Sequence, residues 1–341
     1  MSDGSHAEVA ARWNANADQW TRDVRDGYDV YRDLFTFPAF QEFLPPLDGL
    51  DVIDFGCGEG TNTRRLARMG GRLTGIDISE RLIDHARREE EADPLGIGYR
   101  VSSYSADTGF PDASFDAVLS TMALMDGPDF EGAMKEAHRL LRPGGFIAFS
   151  VLHPCFITPG LHWEKDREGG TVALCVSNYF DRTSFTEHWR FGDRPKDEEV
   201  VPFAVPRFPR TIGDYLNAVA TAGLRIRRIE EPQPSPEACD AVPRFARWRD
   251  LAAFLLLVMA ERPASCMIRQ IGIDLRTKSC SNSKCYSDLC ASGWTRGAVS
   301  NSSFRPDLRR AAVPVAADSA LSRLHSCACH RSPATARPRR E

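Results

Sequence analysis

The amino-acid sequence predicts an α/β fold with a doubly wound, mostly parallel seven-stranded sheet that ends in an antiparallel hairpin. Between residues 51 and 152, five short β-rich runs alternate with amphipathic stretches of helical period, the pattern of right-handed βαβ crossovers. Two more β-rich runs, 224–231 and 252–261, are separated by a Pro-rich loop, which favours antiparallel pairing at the sheet edge.

Each element has a local signal. Gly70 and Gly71 close the first helix after the glycine-rich turn, and Ser79 is a suitable N-cap for the second. Pro143 and Gly144 are expected to break the third helix before the fifth strand begins. The predicted strands are 51–55, 72–77, 97–103, 115–121, 145–152, 224–231 and 252–261, and the predicted helices are 61–70, 79–92, 129–141 and 211–223.

Four segments follow from this pattern. Residues 1–48 precede the sheet and are expected to form a helical cap, and residues 49–263 form the sheet domain. Residues 153–210 are inserted after the fifth strand, where segments of α/β proteins usually build substrate pockets, so they are predicted to be a substrate lid. Residues 264–341 form a tail of different composition.

Charge separates the tail from the rest of the chain. The tail holds 13 Lys and Arg against 5 Asp and Glu, a net +8, which leaves −12 for residues 1–263 because the whole chain carries −4. The tail is rich in Ser, Ala and Pro without a helical or strand period, so we expect it to be disordered. Six of the ten cysteines lie in it, but none forms a CxxC pair, and zinc is therefore disfavoured.

Composition also limits location and partners. An acidic sheet domain argues against nucleic acid as a partner. The longest apolar run, 251–260, is about half the length that a bilayer requires, which argues against a membrane span. The N-terminus shows no secretory signal and the four cysteines of residues 1–263 suit reduced thiols, so we expect a cytoplasmic protein.

The stretch "DVIDFGCGEG" (51–60) indicates a ligand site. A strand, a glycine turn and a helix present free amides and the positive helix end to a ligand. Dinucleotides prefer GxGxxG, whereas this turn has the spacing GxGxG. Asp54 could face a ligand's amino group or cap the turn, and Asp77, at the end of the second strand, could hold ribose hydroxyls or cap the next helix.

Four successive stretches carry a resemblance to a known family: "VIDFGCGEGTNTRRLA", "LTGIDISERLIDHAR", "FPDASFDAVLSTMALMD" and "EAHRLLRPGGFIAFSV". Together they resemble the class I S-adenosylmethionine-dependent methyltransferases, in particular the small-molecule "type 11" branch. The resemblance extends over about residues 10–263 and implies the Rossmann-like methyltransferase fold, the cofactor S-adenosyl-L-methionine and a small-molecule methyl acceptor.

The resemblance also implies roles for residues at matching positions. Gly56, Gly58 and Gly60 would pass beside the methionine part of the cofactor with Asp54 near its amino group. Asp77 would hold the ribose, and Ile78 would pack on the adenine. Thr121 and Met122 would lie close to the sulfonium. Many relatives have a Gly-Asp pair after the third strand, whereas this chain has "SSYSADTGF", so Ser105, Ala106 and Asp107 all remain candidates for the adenine amino group.

The expected reaction is an in-line displacement that needs no metal, because the sulfonium methyl is already activated. His153, directly after the fifth strand, is a hypothetical general base, since a histidine pKa lies near neutral pH; a structural role is the alternative. The resemblance implies that aromatic residues of the cap (Trp20, Tyr28 or Tyr31) lie at the pocket; packing of the helix onto the sheet is the alternative. Those of the lid (Trp163, Tyr179, Phe180, His188 and Trp189) favour an apolar or aromatic acceptor.

Two other functions stay open at this point. A nicotinamide oxidoreductase is disfavoured by the GxGxG spacing, and a cofactor-binding regulator without catalysis is compatible with the same motifs. A nucleic-acid methyltransferase is disfavoured by the acidic domain and by the absence of an Asn/Asp-Pro-Pro-aromatic motif after "FDAVLS". The sequence leaves the acceptor and the oligomeric state open.

Overall fold

A seven-stranded sheet with the order β10-β11-β5-β4-β1-β2-β3 organises the structure, a computed structural model that describes residues 5–195 and 200–264. Two further pairs, β6–β7 and β8–β9, form separate two-stranded sheets. The strands are β1 Asp51–Phe55, β2 Arg72–Asp77, β3 Gly98–Val101, β4 Phe115–Thr121, β5 Leu141–Leu152, β6 His162–Lys165, β7 Thr171–Cys175, β8 Phe185–Trp189, β9 Phe203–Arg207, β10 Arg225–Glu230 and β11 Leu255–Glu261.

Helices cover the sheet and precede it. A π-helical turn, Arg32–Thr36, connects the first helical segment to the second. Within the described ranges, none of the helices is long and apolar enough to cross a membrane. The α-helices are α1 His6–Arg25, α2 Phe37–Phe43, α3 Thr61–Arg68, α4 Glu80–Ala92, α5 Phe130–Leu140, α6 Ile212–Thr221, α7 Pro236–Ala241 and α8 Ala246–Asp250.

The predicted fold class is confirmed. Strands β3, β2, β1, β4 and β5 are parallel, and β11 runs antiparallel between β5 and the edge strand β10. All the carboxyl ends of the parallel strands therefore meet at one edge, where the connections build a site. The tail predicted to be disordered, with its six cysteines, lies outside the described residues except for Ala264.

The junction between α5 and β5 differs from the prediction. The helix ends at Leu140 and the strand begins at Leu141, so the "RPGG" stretch belongs to the strand instead of breaking the chain before it. The reason is pairing beyond the end of β11: the N–H of Gly144 donates to the carbonyl of Arg262 at 2.8 Å, and the N–H of Arg262 donates to the carbonyl of Gly145 at 2.8 Å.

Alternation along the central strands produces a core on each face of the sheet. Ile53, Val118 and Phe149 pack on one face with α5 and α6. Val52 and Leu119 pack on the opposite face with α2, α3 and α4. Successive side chains of a strand point to opposite faces, so strands that are apolar on both sides must be covered by helices on both sides.

The cap and the inserted segment contact each other. Helix α1 lies against β9, where the Asn16 amide donates to the carbonyl of Ala204 at 3.1 Å and accepts its N–H at 3.2 Å. Trp20 makes edge contacts with Trp189 and Phe203 at centroid distances of 5.7 and 5.3 Å. These contacts hold the two segments together over the carboxyl ends of the strands.

Candidate active site

The glycine turn after β1 places bare backbone at the edge of the sheet. Gly56 and Gly58 have φ values of +73° and +56°, which favour glycine. A Cβ on Gly56 would lie 2.4 Å from the Cβ of Ala123, so this position is occupied by neighbouring protein. A Cβ on Gly58 would meet no described atom within 4 Å, and Gly58 lines a cavity. The backbone of Gly58 is therefore open to a ligand.

Asp77, at the end of β2, holds this turn in place. One carboxylate oxygen accepts the N–H of Gly58 at 3.0 Å, and the other accepts the N–H of Ser79 at 2.8 Å. Ser79 in turn caps α4 by accepting the N–H of Leu82. Burial raises the pKa of Asp77 to about 6, although the backbone hydrogen bonds oppose this shift.

Asp54 lies behind the turn and is fully buried. Its Oδ2 accepts the hydroxyl of Thr63 at 2.7 Å, whereas its Oδ1 has no partner in the described part of the chain. Burial raises the pKa of Asp54 to about 7. A buried oxygen without a partner is costly, and a cation or donor brought by a ligand would remove that cost.

Glu59 is a site residue that the sequence analysis missed. It is buried, it accepts the indole N–H of Trp20 at 3.2 Å, and it lies 3.7 Å from the Arg32 guanidinium. With Asp54 and Asp77 it forms a group of three buried carboxylates around the glycine turn. The signal was available, because Glu59 is the residue between the last two glycines of GxGxG.

A cavity of about 630 Å³ adjoins the turn and is lined by the sheet edge, the cap and the inserted segment. It includes five of the predicted cofactor-binding residues: Gly56, Gly58, Asp77, Ile78 and Thr121. Met122 and Ala123 also line it, which puts the end of β4 beside the glycine turn. The structure therefore brings these residues to one place, and their individual binding roles stay predictions.

The other predicted cofactor-binding residues do not line this cavity. Asp54 is buried behind the turn, and Gly60 is buried at the N-cap of α3; Ala106 is exposed, and the hydroxyl of Ser105 lies 2.7 Å from Nε2 of His6. Asp107 is on the surface beside Arg139. The residue that binds the adenine amino group thus stays a prediction.

Tyr104 lines the cavity at the position after the third strand. Its ring stacks on Phe55 at a centroid distance of 6.0 Å, and its hydroxyl donates to the carbonyl of Ala123 at 3.2 Å. Sequence analysis did not select it because a tyrosine in a loop has no motif signal of its own.

His153 lies at the exit of β5 but not in the cavity lining. Its side chain is 1% exposed, its Nε2–H donates to the Glu231 carboxylate at 2.5 Å, and its Nδ1 accepts the N–H of Cys155 at 3.2 Å. Both ring nitrogens are therefore engaged by the protein. This geometry favours the structural alternative, and the general-base role stays a hypothesis.

Aromatic residues of both flanking segments reach the cavity, as expected. Trp20, Tyr28 and Tyr31 of the cap line it, and Trp163 and Trp189 of the inserted segment do so as well. The remaining three lid aromatics that were expected there are Tyr179, Phe180 and His188, and they are not in the lining. Phe180 is instead 80% exposed.

The site fits a sulfonium nucleoside that carries an amino acid. Buried carboxylates suit its cationic groups, and the bare backbone at Gly58 allows close approach. Each oxygen of Asp77 accepts one amide and keeps capacity for a ribose hydroxyl. The fold and this site are those expected of an S-adenosylmethionine-dependent methyltransferase.

Comparisons with known proteins agree with this class. Residues 53–149 match the family model described as a methyltransferase domain. A solved S-adenosylmethionine-dependent methyltransferase from Mesorhizobium loti has 29% identity and a TM-score of 0.55, covering 70% of this chain and 99% of that chain. Residues 53–149 thus carry a methyltransferase domain, and the comparisons bear out the predicted resemblance to class I S-adenosylmethionine-dependent methyltransferases and the predicted cofactor, S-adenosyl-L-methionine.

Two curated relatives have names that indicate small-molecule acceptors. A ubiquinone biosynthesis O-methyltransferase from Methylocella silvestris is 41% identical over 36% of this chain and 50% of its own length. A demethylmenaquinone methyltransferase from Tropheryma whipplei is 38% identical over 46% of this chain and 65% of its own length. The chain thus spans between half and two thirds of these relatives.

Proposed function

We propose that this protein transfers the methyl group of S-adenosylmethionine to a small-molecule acceptor by in-line displacement. The observation that carries the proposal is a single cavity that joins the glycine turn and Asp77 to the aromatic residues of the cap and the inserted segment. When bound, the cofactor supplies an activated methyl on a sulfonium. The protein then contributes position and exclusion of water, which are worth up to about 7–11 kcal/mol.

The residues of the sheet edge bind and orient the donor. Asp77 accepts ribose hydroxyls, and Ile78 and Tyr104 provide apolar surface for the base. Gly58 allows the amino-acid part to approach the backbone. The buried carboxylates of Asp54 and Glu59 supply the negative potential that a cationic donor requires.

The acceptor is a planar ring compound held by the aromatic end of the cavity. Trp163 and Trp248 pack edge to face at 4.8 Å, and Trp248 and Phe254 lie 5.0 Å apart. Trp248 donates its indole N–H to the hydroxyl of Tyr31 at 3.1 Å, so the wall is fixed. The names of the ubiquinone and menaquinone relatives support a quinone-like ring as the acceptor class. The cytoplasmic location and the absence of a nucleic-acid partner stay predictions.

Titration calorimetry combined with a methyl-transfer screen tests this function. We expect micromolar binding of S-adenosylmethionine and of S-adenosylhomocysteine, no binding of nicotinamide dinucleotides, and transfer of labelled methyl to some members of a panel of phenols and hydroquinones. Binding of nicotinamide dinucleotides alone would indicate the oxidoreductase instead. Tight binding of the donor without transfer to any panel member would favour the non-catalytic regulator.

A further inference from the structure

The cavity is lined by five arginines, and three of them are neutralised by carboxylates. Arg32 pairs with Asp33 at 2.9 Å and lies 3.7 Å from Glu59. Arg207 forms ion pairs with Asp126 and Glu187, and Arg244 forms one with Asp193. The remaining two are Arg190 and Arg247.

Arg247, on α8, has aromatic neighbours in place of a carboxylate. Its guanidinium carbon lies 4.8 Å from the ring centroid of Trp163 and 5.5 Å from that of Trp248. Its Nε is buried and has no hydrogen-bond partner among residues 5–195 and 200–264, and the side chain forms no ion pair with them. The guanidinium therefore keeps unused N–H donors in a residue that lines the cavity.

A guanidinium among aromatic side chains loses hydration, and this destabilises the protein unless a ligand supplies hydrogen-bond acceptors for its N–H groups. Contact with the indole rings recovers part of the desolvation cost, but it satisfies no N–H group. A guanidinium presents its donors in a planar fork that matches a carboxylate. The ligand that best accepts hydrogen bonds from Arg247 and contacts these indole rings is therefore an anionic group attached to an aromatic ring.

The distribution of charge in the cavity supports the same conclusion. Among the described residues, no arginine forms an ion pair with Asp29 or Asp77, which line the cavity, or with Asp54, which lies behind the glycine turn. The arginines that no carboxylate neutralises lie on the inserted segment and on α8. The cavity is thus negative where a cationic donor binds and positive where the acceptor binds.

We infer that Arg247 is a specificity-determining residue that binds the carboxylate of a planar aromatic acceptor stacked against Trp163 and Trp248. The inference rests on the proposed function, because it assigns the substrate class of the same cavity. A carboxylate fits better than a phosphate: Arg247 offers one fork, and the other unpaired arginine, Arg190, is exposed, whereas a phosphate dianion attracts several buried donors.

Binding of a matched pair of probes tests the inference. The protein is first saturated with S-adenosylhomocysteine, and the affinities of 2-naphthoate and 2-naphthamide are then measured by calorimetry. These probes have the same ring and differ in charge. We expect naphthoate to bind about 10- to 100-fold more tightly, as a charge-assisted hydrogen bond predicts, and Arg247→Met to remove the preference while S-adenosylhomocysteine still binds.

Arg249→Met is the matched control on the same helix, since Arg249 donates to the carbonyl of Pro234 and does not line the cavity. It should keep the preference for naphthoate. If Arg247→Met fails to fold, Arg247→Lys retains the charge without the fork and should reduce the preference. Equal affinities of the two probes, failure of both to bind, or a preference that survives Arg247→Met would each overturn the inference. Displacement of naphthoate by inorganic phosphate at concentrations where acetate has no effect would overturn the choice of a carboxylate.

Failure of the proposed function gives a different result. In that case S-adenosylhomocysteine does not bind to the wild-type protein, whereas the probe pair is still measured on the protein alone. Binding of S-adenosylhomocysteine together with indifference to probe charge disproves only the role of Arg247.

Discussion

The carboxylate of Asp77 accepts the backbone N–H of Gly58 at 3.0 Å, so the end of β2 fixes the conformation of the turn that follows β1. The same carboxylate accepts the N–H of Ser79, which caps α4. One buried acid therefore joins two strand ends and one helix start, and the residue that is predicted to hold the ribose also shapes the backbone beside it.

Replacing Asp77 should weaken binding of the methyl donor even when the volume of the side chain is unchanged. In Asp77→Asn, the amide nitrogen would face one of the two N–H donors, which loses a charge-assisted hydrogen bond and leaves a buried donor without an acceptor. We expect the affinity for S-adenosylhomocysteine to fall about 10- to 100-fold by calorimetry. Asp84→Asn, on the exposed side of α4, is the control and should bind as the wild type does; equal losses would refute the argument.

Alanine variants of Gly58 and Gly96 distinguish the strain of a left-handed backbone from the loss of contact with the ligand. Gly58 and Gly96 have φ values of +56° and +80°, and a Cβ on either would meet no described atom within 4 Å. Alanine at each position should cost about 1–2 kcal/mol of unfolding free energy, because left-handed backbone is strained for residues with a Cβ. Since only Gly58 lines the cavity, only Gly58→Ala should weaken donor binding. A comparable loss of affinity in Gly96→Ala would contradict this.

The raised pKa values predict a pH dependence with a definite sign. Burial raises the pKa of Asp54 to about 7 and that of Asp77 to about 6 from an ordinary value of 3.8. Between about pH 4 and 7 the folded protein thus holds protons that the unfolded chain has released, so these groups lower the unfolding free energy as the pH rises.

The same groups should make donor binding release protons. A cation beside Asp54 and Asp77 favours their charged forms, so S-adenosylmethionine should bind more tightly at pH 7.5 than at pH 5.5. Calorimetry in two buffers of different ionisation enthalpy measures the released protons directly. Proton uptake, or affinity that weakens as the pH rises, would show that the donor does not neutralise these carboxylates.

A variant of His153 distinguishes a catalytic role of this side chain from a structural one. We expect His153→Ala to lower the unfolding free energy by about 2–3 kcal/mol, because it removes a buried side chain with two hydrogen bonds. The turnover on an acceptor found in the screen should change by less than threefold, whereas loss of a general base costs about 10²–10⁴-fold. Glu231→Gln is the companion variant, and a large loss of turnover without loss of stability would restore the base hypothesis.

The sequence predicted what local chemistry determines. Strands β1 and β4, the glycine turn and the serine cap of α4 are encoded within a few residues of each element, and all are present. The start of β5 was predicted wrongly, because "RPGG" belongs to the strand and pairs with Arg262, more than 100 residues away. A pairing partner so distant in the sequence cannot be predicted from the residues near "RPGG".

The acceptor side of the cavity could be predicted only in part. The aromatics Trp163 and Trp189 were expected at the cavity from composition, whereas Arg247 gave no signal among the many arginines of the chain. Its significance comes from the contact between Trp163, on the first inserted hairpin, and Trp248, on α8, which puts both rings within 5.5 Å of the guanidinium carbon. A tertiary arrangement of this kind leaves no pattern in the sequence of any single element.

Strand β11 has a consequence for how the molecule forms during synthesis. It lies between β5 and β10 and pairs with both, so β10 finds no place in the sheet until residues 255–261 have left the ribosome. The five parallel strands can assemble earlier. Residues 146–152 of β5 then have no partner on the side that β11 occupies, and this edge can pair with another chain. Nascent chains that stop before β11 should consequently be prone to association through this open edge.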